Sequence, residues 1–198
     1  RSSKATNMVS RAEAAFANAT DSKFAIGFTN GTATLHAALE AIGIEPGDEV
    51  IVPPLTMAAT CMAVLQANAT PIFADVDLKT WQISAESIAR NISDRTKAII
   101  TVALYGGSPD YYAIKSVSKG IPIIEDNAEA IGTKYDGKPI GNFGDFSSYS
   151  FQSSKHLSSG EGGMLCLNST EIANKVRRIQ SLGYKGLSAE QGKILKSD

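Results

Sequence analysis

Short apolar runs alternate with helix-favouring stretches along nearly the whole chain, and this alternation limits the fold more than any other feature. Residues 24–28, 49–53, 70–76, 97–104, 121–126, 146–151 and 164–167 read as strands. Between them, residues 8–19, 35–42, 56–65, 83–92, 110–119 and 170–182 read as helices. Strands that are apolar along their length are covered on both faces, and alternation with helices gives a mainly parallel sheet with helices on its two sides. The expected class is therefore α/β. No repeat, low-complexity tract or linker interrupts the pattern, so no domain boundary is expected inside it.

Local chemistry sets the ends of several elements. Leu35, Ala38, Leu39 and Ile42 follow helical spacing and Gly43 ends that helix. Thr56 reads as the cap of the next helix and Ser84 as the cap of another. Trp81, the single tryptophan, falls in a loop and reads as a packing residue. Lys175, Arg177 and Arg178 read as the solvated face of the last helix, and the polar stretch from Gly183 onward as a tail without structure of its own.

Composition excludes some functions. With 43% hydrophobic residues the chain can bury a core, and a net charge of −1 leaves no basic footprint for nucleic acid. No apolar run is long enough to span a bilayer, and residues 1–7 lack the apolar centre of a signal peptide, so a cytoplasmic setting without membrane is expected. Cys61 and Cys166 stand far apart in apolar surroundings, with no ligand spacing around them; buried free thiols are expected and no metal.

Three stretches carry chemistry. In the first, a strand runs through Asn30-Gly31-Thr32 into a helix. A helix N-terminus favours phosphate, Gly31 allows close approach of the backbone, and Thr32 adds a hydroxyl. The same residues also suit an ordinary Asn-Gly turn with a threonine cap. In the second, Glu125-Asp126 ends a strand, where ligands of open α/β sheets gather. A buried aspartate needs a partner, either nearby N–H groups or a protonated ring nitrogen. In the third, Lys155 lies among serines, a Phe and a Leu, between a strand and Gly160-Glu161-Gly162-Gly163. Read alone, it is a surface lysine in a Ser/Gly loop. Partial burial would instead lower its pKa and free its lone pair for attack on an aldehyde. With Asp126 and the Gly/Thr turn, the expectation becomes a Schiff base with pyridoxal 5′-phosphate.

The motifs together resemble the DegT/DnrJ/EryC1/StrS family of pyridoxal-phosphate sugar aminotransferases. They are Asn30-Gly31-Thr32, Gly47-Asp48-Glu49-Val50-Ile51, Thr56-Met57-Ala58-Ala59-Thr60, Asp75-Val76-Asp77, Glu125-Asp126-Asn127-Ala128-Glu129-Ala130, and Ser150-Phe151 followed by Lys155 and the glycine cluster. They run in family order over almost the whole chain. The resemblance implies a type I aminotransferase large domain, usually in a homodimer, with a keto sugar, commonly nucleotide-linked, as acceptor and glutamate or glutamine as donor. It implies that Lys155 holds the cofactor and shuttles a proton and that Asp126 pairs with the ring nitrogen. Gly31, Thr32, Ala33 and Ser150 would hold the phosphate, Met57 would cover the ring face, and Glu129 would sit near the phenolic oxygen.

Two positions depart from the family's usual pattern. Met57 stands where an aromatic residue is common, and Glu129 where glutamine is common, so its carboxylate would need a proton or another partner. The family also has a leading segment before the region of Arg1 and a small domain after that of Gly183. Residues 1–183 are thus expected to form the large domain and 184–198 to lead toward the small one. A related sugar dehydratase carries histidine at the lysine position; here it is Lys155, with His156 beside it. A non-catalytic binding protein would have no need of Lys155 and Asp126 together. A Rossmann-type nucleotide domain would show Gly-x-Gly-x-x-Gly after a strand, which is missing here.

Overall fold

The structure, a computed structural model, describes residues 3–183; the expected tail at 184–198 lies outside the described residues. In chain order the elements are α1 (Ser3–Ala19), β1 (Phe24–Phe28), α2 (Gly31–Ile42), β2 (Glu49–Val52), α3 (Ala58–Gln66), β3 (Thr70–Phe73), α4 (Ala85–Asn91) and β4 (Thr96–Val102). They continue with α5 (Tyr111–Val117), β5 (Ile123–Asp126), β6 (Lys134–Tyr135), β7 (Lys138–Pro139), β8 (Phe146–Ser150), β9 (Gly163–Leu167) and α6 (Thr170–Gln180).

A seven-stranded sheet in the order β1-β9-β8-β5-β4-β2-β3 forms the centre. All its strands run parallel except β9, which lies antiparallel to both β8 and β1. The α/β expectation holds, and the near-continuous apolar strands have the expected cause. Along β2, Val50 and Val52 join one core while Ile51 joins the other; Ile100 and Ile99 of β4 divide in the same way. The first core also takes Leu35 and Leu39 of α2, Val64 of α3 and Val176 of α6. The second takes Ile88 of α4 and Ile114 of α5, so each face of the sheet has its helices.

Most sequence boundaries hold to within a few residues. Asn30 caps α2 by accepting from Ala33 N at 2.8 Å, and Gly43 closes it in the left-handed region. Ser84 caps α4 as expected, and both cysteines are free, Cys166 buried and Cys61 half-buried.

Three expectations are corrected. Thr56 does not cap α3: Met57 holds that position without a side-chain bond, and the Thr56 hydroxyl lies 2.9 Å from that of Thr60. Trp81 is not packed inside: it is 53% exposed and meets the ring of Tyr105 edge to face. The basic group on α6 is more than a solvated face. Arg177 makes two 2.6 Å bonds to the Glu13 carboxylate, and Lys175 donates to the carbonyl of Ala41. The fork geometry of a guanidinium on a carboxylate clamps α6 to α1. The β6–β7 hairpin was not foreseen, because two-residue strands carry no periodicity; its Asp136-Gly137 turn, both residues with positive φ, was the available signal.

Candidate active site

The parallel strands β4, β5 and β8 end side by side, with Val102, Asp126 and Ser148 in register. Over these ends lies a cleft of about 540 Å³ lined by Gly31 and Thr32 of α2, by Met57, and by Asp126, Glu129, Ser150 and Lys155. Seven of the eight residues singled out in the sequence therefore share one space. Ala33 does not line it: it faces a neighbouring, wider hollow between α1 and the lysine loop, and its amide N–H is taken by Asn30. That hollow is larger, about 1030 Å³, but contains neither Lys155 nor Asp126.

The start of α2 is pressed against the end of β8. A Cβ on Gly31 would come to 3.0 Å from Ser150 Cβ, so glycine is what allows the turn to reach the strand. Below it, the hydroxyls of Thr34 and Ser148 meet at 2.5 Å. One end of the cleft thus gathers the N-terminus of a twelve-residue helix and the hydroxyls of Thr32 and Ser150. Helix N–H groups and hydroxyls gathered in this way have the chemistry to hold an anion.

Asp126 also lines the cleft, 7% exposed. Its Oδ1 accepts from Ala128 N at 3.2 Å and its Oδ2 from Thr60 Oγ1 at 3.2 Å. Burial pushes its pKa up to about 6, opposed by those two hydrogen bonds and by the charge of Lys155, and reinforced by the charge of Glu129. The neighbouring Glu125 is fully buried and accepts from the amides of Gly141, Phe143 and Gly144; desolvation pushes its pKa up as well. Those bonds tie the 141–144 loop to the strand that carries Asp126.

Lys155 is half-buried in the loop between β8 and β9, and its Nζ donates to Glu129 Oε1 at 3.2 Å. The second Glu129 oxygen accepts from the backbone N of Tyr105 at 3.1 Å. The carboxylate that needed another partner thus has two. Met57 stands at the N-terminal end of α3, 61% exposed. His156 is exposed and does not line the cleft. Sequence reading missed Thr60 as the partner of Asp126 and Tyr105 as a donor to Glu129. The only hint of the first was Thr56 and Thr60 at helical spacing; the second is a backbone group and leaves no mark in a sequence.

The DegT/DnrJ/EryC1/StrS aminotransferase family model matches residues 3–196. GDP-perosamine synthase of Vibrio cholerae is 41% identical over 177 residues, which cover 88% of this chain and 48% of that protein. Among solved structures, an aminotransferase from Psychrobacter cryohalolentis superposes with a TM-score of 0.87 at 38% identity, over 89% of this chain and 45% of that one. A variant of GDP-4-keto-6-deoxymannose-3-dehydratase with bound GDP-perosamine gives a TM-score of 0.85 at 30% identity, over 96% and 52%. The chain spans about half the length of the curated relatives it matches.

Proposed function

This chain belongs to the DegT/DnrJ/EryC1/StrS aminotransferase family, and on that premise we propose that it forms the cofactor domain of a pyridoxal-phosphate enzyme moving an amino group from glutamate or glutamine to a keto sugar, commonly nucleotide-linked. The observation that carries the reading is the single cleft holding an amine, a buried carboxylate and an anion-binding helix end. That set fits a flat phosphorylated ring bearing an aldehyde. The α2 turn with Thr32 and Ser150 would hold the phosphate, Asp126 the ring nitrogen, and Lys155 the aldehyde carbon, while the Met57 thioether would pack on the ring face.

When bound, pyridoxal phosphate supplies an aldehyde for the donor amine and a ring that withdraws electrons from it. The chain supplies the rest. Asp126, ionised above about pH 6, would offer a fixed negative charge to the ring nitrogen and would favour its protonated form. Lys155 would anchor the cofactor and, when its amine is free, would hold and move a proton on Nζ. Glu129 keeps that amine near the cleft through its 3.2 Å contact.

The dehydratase reading requires histidine in place of the anchoring amine. Lys155 lines the cleft and His156 does not, which favours amino transfer. A homodimer belongs to the same proposal, supported by the exposed apolar residues Leu55, Met57, Met62, Leu65 and Phe73 around α3 and β3, and so does the cytoplasmic setting expected from the sequence.

The test is incubation of the chain with pyridoxal phosphate, borohydride reduction, and peptide mass mapping. A cofactor-sized gain on the Lys155 peptide supports the reading. Reduced cofactor elsewhere, or none in the full-length protein, would sink it.

A further inference from the structure

Thr60 is fully buried, on the first turn of α3, and its hydroxyl reaches Asp126 Oδ2 at 3.2 Å while also lying 2.9 Å from the hydroxyl of Thr56. Resting on the reading of the cleft given above, we propose that Thr60 is the positioning residue for Asp126: its hydroxyl aims the carboxylate across the cleft and holds it in the ionised form that a protonated ring nitrogen requires.

The hydrogen bonds fix the direction. An ionised carboxylate can only accept, so the single Thr60 proton must go to Asp126, and Thr60 must then accept from Thr56. Ala128 N occupies Oδ1, so both oxygens are held and the plane of the carboxylate is set from two sides. The charged groups acting on Asp126 are Lys155 and Glu129, from the loops after β8 and β5; their effects oppose each other. Helix α3 contributes neither amine nor carboxylate, only the hydroxyl. Met57 caps the same helix and lines the cleft. The same helix therefore carries both a lining residue of the cleft and the hydroxyl that holds the carboxylate.

The test is a carbon-13 NMR titration of the Asp126 carboxyl in the cofactor-free chain, comparing the parent with Thr60→Val and Thr60→Ser. Valine keeps the shape and removes the hydroxyl; serine keeps the hydroxyl. The Asp126 midpoint is expected to rise by about one pH unit in Thr60→Val, the worth of one hydrogen bond to a charged group, and to return toward the parent in Thr60→Ser. Thr60→Ala replaces the valine variant if that does not fold. An unchanged midpoint in a folded hydroxyl-free variant overturns the proposal, as does a serine variant that titrates like valine. Pyridoxal phosphate affinity, read by fluorescence, is expected to fall about tenfold with the hydroxyl removed. A parent that captures no cofactor overturns the reading of the cleft, whereas the NMR midpoint alone decides the hold of Thr60 on Asp126.

Discussion

Lys155 Nζ lies 3.2 Å from Glu129 Oε1, with the two side chains 16% and 19% exposed. The residue read as the anchoring nucleophile is therefore already engaged by a carboxylate from the loop after β5. To attack an aldehyde the amine must leave that partner. Glu129→Gln keeps the shape and removes the charge. The rate of borohydride-trapped cofactor capture at pH 7 is expected to rise roughly two- to fivefold, the worth of a partly exposed ion pair. A slower variant would show that the carboxylate assists capture instead.

Lys155→Ala removes the anchor and the proton carrier at once. Trapped cofactor on the 151–163 segment should vanish, and amino transfer by the full-length protein should fall by roughly 10³-fold or more. Residual trapping at the same segment in the variant would exclude Lys155 as the attachment point.

Asp126 gives the folded chain a definite pH signature. Its carboxyl holds a proton up to about pH 6 in the fold, against an ordinary value of 3.8. The raised value means that the native state binds the proton more tightly. The stabilising share is complete below 3.8 and is lost as pH rises through 6. Asp126→Asn has no such loss, so its stability relative to the parent should improve by about 2 kcal/mol between pH 4 and pH 8. Urea unfolding of both proteins without cofactor measures this; a difference that stays constant across the range argues against the shift.

Gly163 begins β9 opposite both Phe28 and Ser150. A Cβ there would stand 2.9 Å from the Gly31 amide nitrogen and collide with the Asn30 carbonyl, so alanine must push back the start of α2. Gly163→Ala is expected to cost about 1 to 3 kcal/mol in thermal or urea unfolding. It should also weaken binding of pyridoxal phosphate more than that of pyridoxal, because the displaced turn is the proposed phosphate site. Equal losses for both ligands would detach the turn from phosphate binding.

Met62 and Leu65 are 47% and 52% exposed on α3. If this face is covered in a homodimer, Met62→Glu with Leu65→Glu in the full-length protein should shift its mass in solution toward the monomer, since two carboxylates would be buried without partners. Ultracentrifugation reads the outcome, and an unchanged dimer would place the interface elsewhere.

The layered architecture was legible because it rests on local pattern. Val50, Ile51 and Val52 are apolar in succession, which requires cover on both faces, and the helices between strands supply that cover. The place of Asp126 was legible for a related reason: it ends the apolar run 121–126, and parallel strands deliver their carboxyl ends to one edge of the sheet; Lys155 lies four residues past Phe151, in the loop that leaves β8 at that same edge. The antiparallel direction of β9 left no comparable mark, since a strand buried on both faces reads alike in either direction.

The sequence by itself thus determined the kind of sheet, the edge at which its parallel strands end, and most of the residues that line the cleft there. Tertiary structure alone decided which of them touch. Lys155 meets Glu129 across 26 positions, Asp126 meets Thr60 across 66, and Arg177 meets Glu13 across 164. The physical reason is that periodicity reports only which face of an element is buried, whereas a hydrogen bond depends on where two separately formed elements come to rest, to within a few tenths of an ångström.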